Sequence, residues 1–179
     1  MILALVEHPE GVTTGAGTRA VYDLERDEAH FGAATVDGPA LVWELRADEP
    51  EGATLAAEVE LDPGLAWLLR CDRVDFPPGG IAYRHTHPGP GIRRLLFGSI
   101  RIDTEGGSET YGPGGAWFER GLDPVYAAAS ETEPSAFVRV MLLPREWEGR
   151  RTVRYVDPAD EDKPKLQRAT VFFEAPVEL

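Results

Sequence analysis

Residues 83–98 read YRHTHPGPGIRRLLFG, and they place two of the chain's four histidines one residue apart, ahead of a Pro-Gly turn and an apolar run. In a β-strand, alternate side chains share a face. A strand over IAYRHTH (81–87) sets Ile81, Tyr83, His85 and His87 on one side and Ala82, Arg84 and Thr86 on the other. His85 and His87 then become neighbours that can reach a single ion, and imidazole suits Zn, Fe, Cu and Ni. Two ligands hold a metal only weakly, since three or four are usual. The plainer alternative is a pair of surface or hydrogen-bonded histidines beside a turn.

Outward from this stretch, short runs rich in Val, Ile, Leu, Tyr, Phe and Trp alternate with turns such as LDPG, FPPGG, YGPGG and RGLDP. Nineteen glycines and fifteen prolines are spread from end to end, and long helical periodicity is missing. This is the pattern of many short strands with tight turns, an all-β sandwich or barrel. Residues 1–64 read as an N-terminal extension that adds strands to the main sheet. Residues 65–143 carry the regular strand–turn alternation. Residues 144–179 begin charged and end in ATVFFEAPVEL, an apolar tail expected to lie along the barrel or on a partner subunit.

The 179 residues carry a net charge of −13, and 42% are hydrophobic, enough for a proper core. Such an acidic surface is repelled by nucleic acid and by anionic membranes, so both are set aside as partners. The N-terminal MILALV is too short for a signal peptide or a spanning helix and reads as a first strand. A cytoplasmic protein is expected. The single cysteine, Cys71, rules out an internal disulfide and reads as a packed thiol. TTGAGTRA (13–20) has two glycines but no P-loop lysine, so it does not cradle phosphate. His8 and His30 read as surface or structural residues.

The spacing around the histidine pair resembles the first motif of the cupin superfamily. Gly79 is followed by five residues and then His85-Thr86-His87, and Gly98 falls at the closing glycine. GAWFERGLDPVY (115–126) has the length of the second motif. The resemblance covers roughly residues 65–143. It implies a cupin-type jelly-roll barrel (double-stranded β-helix) with extra N-terminal strands and a C-terminal tail, often dimeric, with its site inside the barrel mouth. Two ligand positions depart from the pattern, with Gly91 where the motif has glutamate and Tyr126 where it has histidine, and Gly121 and Asp123 replace the proline and glycine of the second motif. Half of the usual three-His, one-Glu metal set is therefore missing.

Glu119 is similar in position to a glutamate of several cupins. His85, His87 and Glu119 would make a two-His, one-carboxylate set for a weakly held divalent ion such as Fe, Zn, Ni or Mn. Tyr126 would be a fourth ligand or a phenol contacting a bound molecule. Counting from Gly91 turns Arg93 inward with Leu95 and Phe97. A buried guanidinium needs a partner, either Glu119 or an acid group on a ligand, so an anionic small molecule is expected if Arg93 faces in. Tyr83, Arg93 and Tyr126 are the expected substrate contacts, and Trp117 and Phe118 offer further aromatic wall.

Three functions compete. One is a metal-binding cupin acting on a small organic molecule with oxygenase- or isomerase-like chemistry. Another is a cupin that binds a small ligand without turnover. The third is a structural dimer with an empty barrel. A homodimer is expected in each case, because the apolar tail and open sheet edges need cover.

Overall fold

The computed structural model describes residues 1–178; the last residue of the C-terminal tail, Leu179, lies outside them. Seven strands form the N-terminal part: β1 (Ile2–His8), β2 (Val12–Thr14), β3 (Arg19–Asp23), β4 (Glu28–Phe31), β5 (Ala34–Val36), β6 (Ala40–Arg46) and β7 (Leu55–Glu58). Eight more form a barrel: β8 (Trp67–Phe76), β9 (Ile81–Thr86), β10 (Gly91–Phe97), β11 (Ile100–Thr104), β12 (Gly107–Tyr111), β13 (Ala116–Glu119), β14 (Val125–Ala129) and β15 (Ser135–Pro144). Two follow: β16 (Arg154–Tyr155) and β17 (Arg168–Val177). Among the described residues, no helix is long and apolar enough to cross a membrane.

The barrel strands fall into two antiparallel sheets, ordered β13-β10-β15-β8 and β12-β11-β14-β9. This is jelly-roll order, and the fold is a cupin-type all-β barrel. Val74, Phe76, Leu95, Trp117 and Phe137 of the first sheet meet Ala82, Ile100, Ile102, Ala127 and Ala129 of the second to form the inner core. Gly98 adopts φ +76°, and a Cβ there would lie 2.3 Å from the Pro134 carbonyl. The tight return from β10 to β11 therefore demands glycine.

The N-terminal strands do not extend the barrel sheets, as the sequence pattern had suggested. They make their own sheet, ordered β4-β3-β6-β1-β7, with β2 and β5 as a separate ribbon. The reason is that the outer face of the first barrel sheet is apolar. Trp67, Leu69, Cys71, Ile92, Val138, Val140 and Leu142 point away from the barrel and need cover. Leu3, Leu5, Tyr22, Leu41, Trp43 and Leu45 of the N-terminal sheet supply it. Cys71 sits fully buried in this interface, where burial raises its thiol pKa well above the ordinary value. Arg94 of β10 clamps Glu7 of β1 through two bonds of 3.1 Å.

The apolar tail forms β17, antiparallel to β8 at the edge of the first barrel sheet. Phe172 packs edge-on against Tyr22, with ring centres 5.7 Å apart, and Phe173 against Phe31 at 5.8 Å. These rings thus pack within the chain, Phe172 and Phe173 half-buried and Phe31 still exposed. Residues 145–167, with short 3₁₀ turns at Arg145–Trp147 and Pro158–Asp162, form a strap that crosses to β16 beside β9.

Candidate functional site

The barrel holds a cavity of about 480 Å³, within the ordinary range for small-molecule sites. Its polar layer follows from strand register. Arg93 of β10 stands opposite Arg139 of β15, and Arg139 stands opposite Asp72 of β8. Arg93 and Arg139 line the cavity, and Asp72, wholly buried, lies behind Arg139. Arg139 Nε and Nη2 donate to the two oxygens of Asp72 at 2.6 and 3.2 Å. Arg70 Nε donates to Asp72 Oδ2 at 2.8 Å.

Arg93 is 1% exposed. Its Nη1 donates to the Gly91 carbonyl at 2.6 Å, and its Nη2 lies 2.7 Å from Glu119 Oε2. The Nη2 contact is a close ion pair but not an aligned hydrogen bond, so Nη2 and Oε2 both keep unused bonding capacity. Trp117 Nε1 donates to Glu119 Oε1 at 2.8 Å. Burial pulls the Arg93 pKa down to about 10, partly offset by Glu119, and the group stays charged at neutral pH.

His85 and His87 are both buried, with Nε2 atoms 3.2 Å apart. His85 Nδ1 lies 2.7 Å from the Tyr83 carbonyl and His87 Nδ1 3.2 Å from the Thr152 carbonyl. A carbonyl oxygen can only accept, so each Nδ1 carries the proton and each neutral ring turns its Nε2 lone pair toward the other. Arg139 Nη1, 3.4 Å from His87 Nε2, is the nearest protein donor to them. Burial lowers the pKa of His85, and lowers that of His87 further, with Arg139 and Arg93 pushing the latter the same way.

Two unprotonated Nε2 atoms at this distance fit an ion between them, provided Arg139 Nη1 yields its long bond to His87: ligands at about 2.0–2.1 Å from a tetrahedral zinc are about 3.3 Å apart. The third expected ligand is turned elsewhere. Glu119 Oε2 is 3.9 Å from His87 Nε2 and paired with Arg93. Among the described residues no three His, Cys, Asp or Glu side chains converge on one point.

Two expected contacts are not in the cavity. Between the pairs His85–Val125 and Ala82–Ala127, β9 spends three residues where β14 spends two. This bulge reverses the alternation. Ala82 joins His85 and His87 on the inside, and Tyr83 turns out beneath Lys163. Tyr126 faces outward beside Arg101, and Val125 takes the inner position opposite His85. Phe97, expected inward with Arg93 and Leu95, is turned out by an irregularity after Leu95 and lies under Arg73.

Sequence reasoning missed Arg70, Asp72 and Arg139. The signal was present: Arg139 is the lone charge in the apolar strand SAFVRVMLL, and Arg70, Asp72, Val74 and Phe76 share the parity of the barrel interior. It also missed the mouth, built by residues 149–153, Tyr155 and Lys165 of the strap and Val171 and Glu174 of β17.

The fold and the mouth-facing site define a cupin-type barrel with an altered polar set. No family model matches the chain, and no curated protein matches it. Solved structures similar to it include the polyketide cyclase RemF from Streptomyces resistomycificus, at 23% identity and TM-score 0.41, over 54% of this chain and 64% of that one. The chain thus spans less than two thirds of RemF. A cupin domain from Bordetella pertussis matches at 19% identity and TM-score 0.37, over 48% of this chain and 88% of its own. An RmlC-like cupin from Shewanella frigidimarina matches at 16% and 0.39, over 50% and 86%.

Proposed function

We propose that this protein takes a small organic acid into its barrel, apolar end first, and holds the acid group at the arginine layer. The observation that carries this reading is a reversal of charge. The chain has 31 acidic and 18 basic residues. The cavity is lined by six basic side chains, Arg70, Arg93, Arg139, Arg150, Arg151 and Lys165, against two carboxylates, Glu119 and Glu174. Beneath the arginines the wall is apolar, with Val74, Phe76, Ile102, Trp117 and Phe137. A carboxylate at Arg93 Nη2 and Arg139 Nη1 forms charge-assisted bonds, while the ligand's body displaces water from the floor.

Calorimetry with 2-naphthoate and its neutral isostere 2-naphthamide tests this. The acid is expected to bind at least ten-fold more tightly. Equal affinities, or no binding of the acid, would overturn the reading.

The facing imidazole lone pairs favour a second component, a divalent ion held by His85 and His87, with Glu119 as its third ligand if that carboxylate parts from Arg93. When bound, the ion would supply a Lewis acid beside the ligand's acid group, for oxygenase- or isomerase-like chemistry. Without it the cavity serves as a binding module.

A further inference from the structure

Arg93, Glu119, Tyr155 and Gln167 line the cavity, and each carries a buried polar atom that makes no aligned hydrogen bond among the described residues. Arg93 and Glu119 at least lie against each other as an ion pair. Tyr155 Oη and Gln167 Oε1 have no such pairing, and a buried polar atom left without a partner is costly. The fold brings these two residues together from opposite sheets. β16 is the edge of the second barrel sheet, beside β9, and β17 is the matching edge of the first, beside β8. Tyr155 stands opposite His85 in the β9–β16 pair and meets its ring edge-on, with centres 6.5 Å apart. It therefore shares the inward face with the histidines. In the extended chain that leads into β17, Lys165, Gln167, Ala169 and Val171 line the cavity at alternate positions. Lys165 Nζ lies 4.9 Å from the centre of the Tyr155 ring, and Gln167 is the next inward residue. Arg151 Cζ lies 5.0 Å from the same centre. The two cations hold the ring and leave its hydroxyl to the cavity. Burial raises the phenol pKa, although Arg151 draws it back, so Tyr155 keeps its proton and is a donor. Gln167 Oε1 is an acceptor.

We propose that Tyr155 and Gln167 form a hydroxyl-reading subsite, so that the acid taken by this barrel is a hydroxy acid, bound as one enantiomer. The inference rests on the organic-acid reading of the cavity. A hydroxyl both donates and accepts, so a single one satisfies the two orphaned atoms: it accepts from Tyr155 Oη and donates to Gln167 Oε1. Its place on the ligand follows from the order of the wall. Arg139 Nη1 faces His87, His87 faces His85, and His85 faces Tyr155. An acid group at Arg139 therefore has the subsite to one side of it and the apolar floor beneath. The carbon that carries the acid group is the position for the hydroxyl. Three directions from that carbon (ring to the floor, carboxylate to the arginines, hydroxyl to Tyr155 and Gln167) fix its handedness.

Calorimetry with the two enantiomers of 2-naphthylglycolate, and with 2-naphthylacetate, which lacks the hydroxyl, tests this. One enantiomer is expected to bind about ten-fold more tightly than 2-naphthylacetate, the gain of one well-made hydrogen bond, and about ten-fold more tightly than its mirror image. Tyr155→Phe removes only the phenol oxygen. It is expected to cancel both the gain and the preference between enantiomers, and to leave the affinity for 2-naphthylacetate unchanged. Gln167→Leu should give the same pattern, and it decides the matter if Tyr155→Phe does not fold. Variants that weaken all three ligands alike would make these side chains structural and overturn the proposal. A wild type that binds all three acids equally would also overturn it, since water would then serve the two atoms as well as a hydroxyl does, and the organic-acid reading would stand. If the wild type binds none of the acids, both fall.

Discussion

Arg93 and Arg139 face each other directly across neighbouring antiparallel strands, both buried and both turned into the same cavity. Like charges placed opposite one another in a sheet repel. Glu119 on one side and Asp72 on the other hold them there. The sheet thus maintains two cations side by side at a place that an acid group could bridge.

Replacing one cation should show this. Arg93→Met is expected to weaken 2-naphthoate about 10- to 100-fold, the equivalent of a charge-assisted bond at about 1.5–3 kcal/mol. It also strands Glu119 in the interior, and breaking a buried pair costs about 3–5 kcal/mol. Urea unfolding should show that loss in Arg93→Met, with much of it recovered in Arg93→Met/Glu119→Gln. Full stability in the single variant would mean that the pair contributes nothing.

Restoring the cupin glutamate at position 91 should fail. A Cβ on Gly91 would lie 2.5 Å from the Val140 carbonyl and 2.8 Å from Met141 Cγ. Gly91→Glu must therefore part β10 from β15. Overpacking of this kind costs about 1–3 kcal/mol or more, and 1 kcal/mol lowers the Tm of a chain this size by about 2–4 °C. A drop approaching 10 °C is expected in calorimetry, without tighter zinc binding. A well-folded variant that binds zinc tightly would refute this account of the missing ligand.

The histidine pair should make the metal-free protein sensitive to mild acid. Burial depresses both folded-state pKa values. Above about pH 6.5 the imidazoles are neutral in both states, and this source of stability is fully present. Below it the unfolded chain binds protons that the folded chain refuses. Stability then falls by about 1.4 kcal/mol per pH unit for each refused proton, until the folded pKa is reached. Urea midpoints at pH 8, 6.5 and 5 should drop chiefly between the last two. The drop should be smaller in His85→Asn/His87→Asn. An equal drop in that variant would assign the effect to other groups.

Metal uptake separates the two components of the proposed function. Titration of untagged protein with Zn(II) or Ni(II) at pH 8 is expected to show one weakly held ion per chain. His85→Ala and His87→Ala should each abolish uptake, and Glu119→Ala should only reduce it, since Glu119 is already shared with Arg93. No uptake by the wild type would remove the ion and leave the organic-acid cavity as the whole site.

The all-β class was legible from short apolar runs between Gly- and Pro-rich turns, and the barrel from the resemblance of Gly79, His85, His87 and Gly98 to the first cupin motif. Arg93 could be turned inward only by counting from Gly91, whose place in the cavity came from the cupin resemblance, and the same resemblance singled out Glu119. Alternation failed where the backbone breaks it, since the bulge in β9 reversed Tyr83; the motif position failed for Tyr126, because Val125 is the residue opposite His85. Period-two patterning also names a buried face without naming what covers it. The β1–β7 segment could therefore be read as strands but not as a separate sheet. Asp72 and Arg139 were visible as charges in apolar strands. Their pairing joins residues 67 positions apart, and no local pattern records that.

The first barrel sheet is enclosed on both sides, with the cavity on one face and the N-terminal sheet on the other. The arginine layer is thus mounted on a panel with a backing plate. Residues 1–58 line no part of the barrel cavity, yet without them Leu69, Cys71, Ile92, Val138 and Val140 would become a continuous oily exterior. Cutting the chain down to its barrel would not yield a minimal binding domain. It would expose an aggregation-prone surface and loosen the strands that keep Arg93 and Arg139 in line. In this chain, the rigidity of the pocket is borrowed from a layer that the pocket never touches.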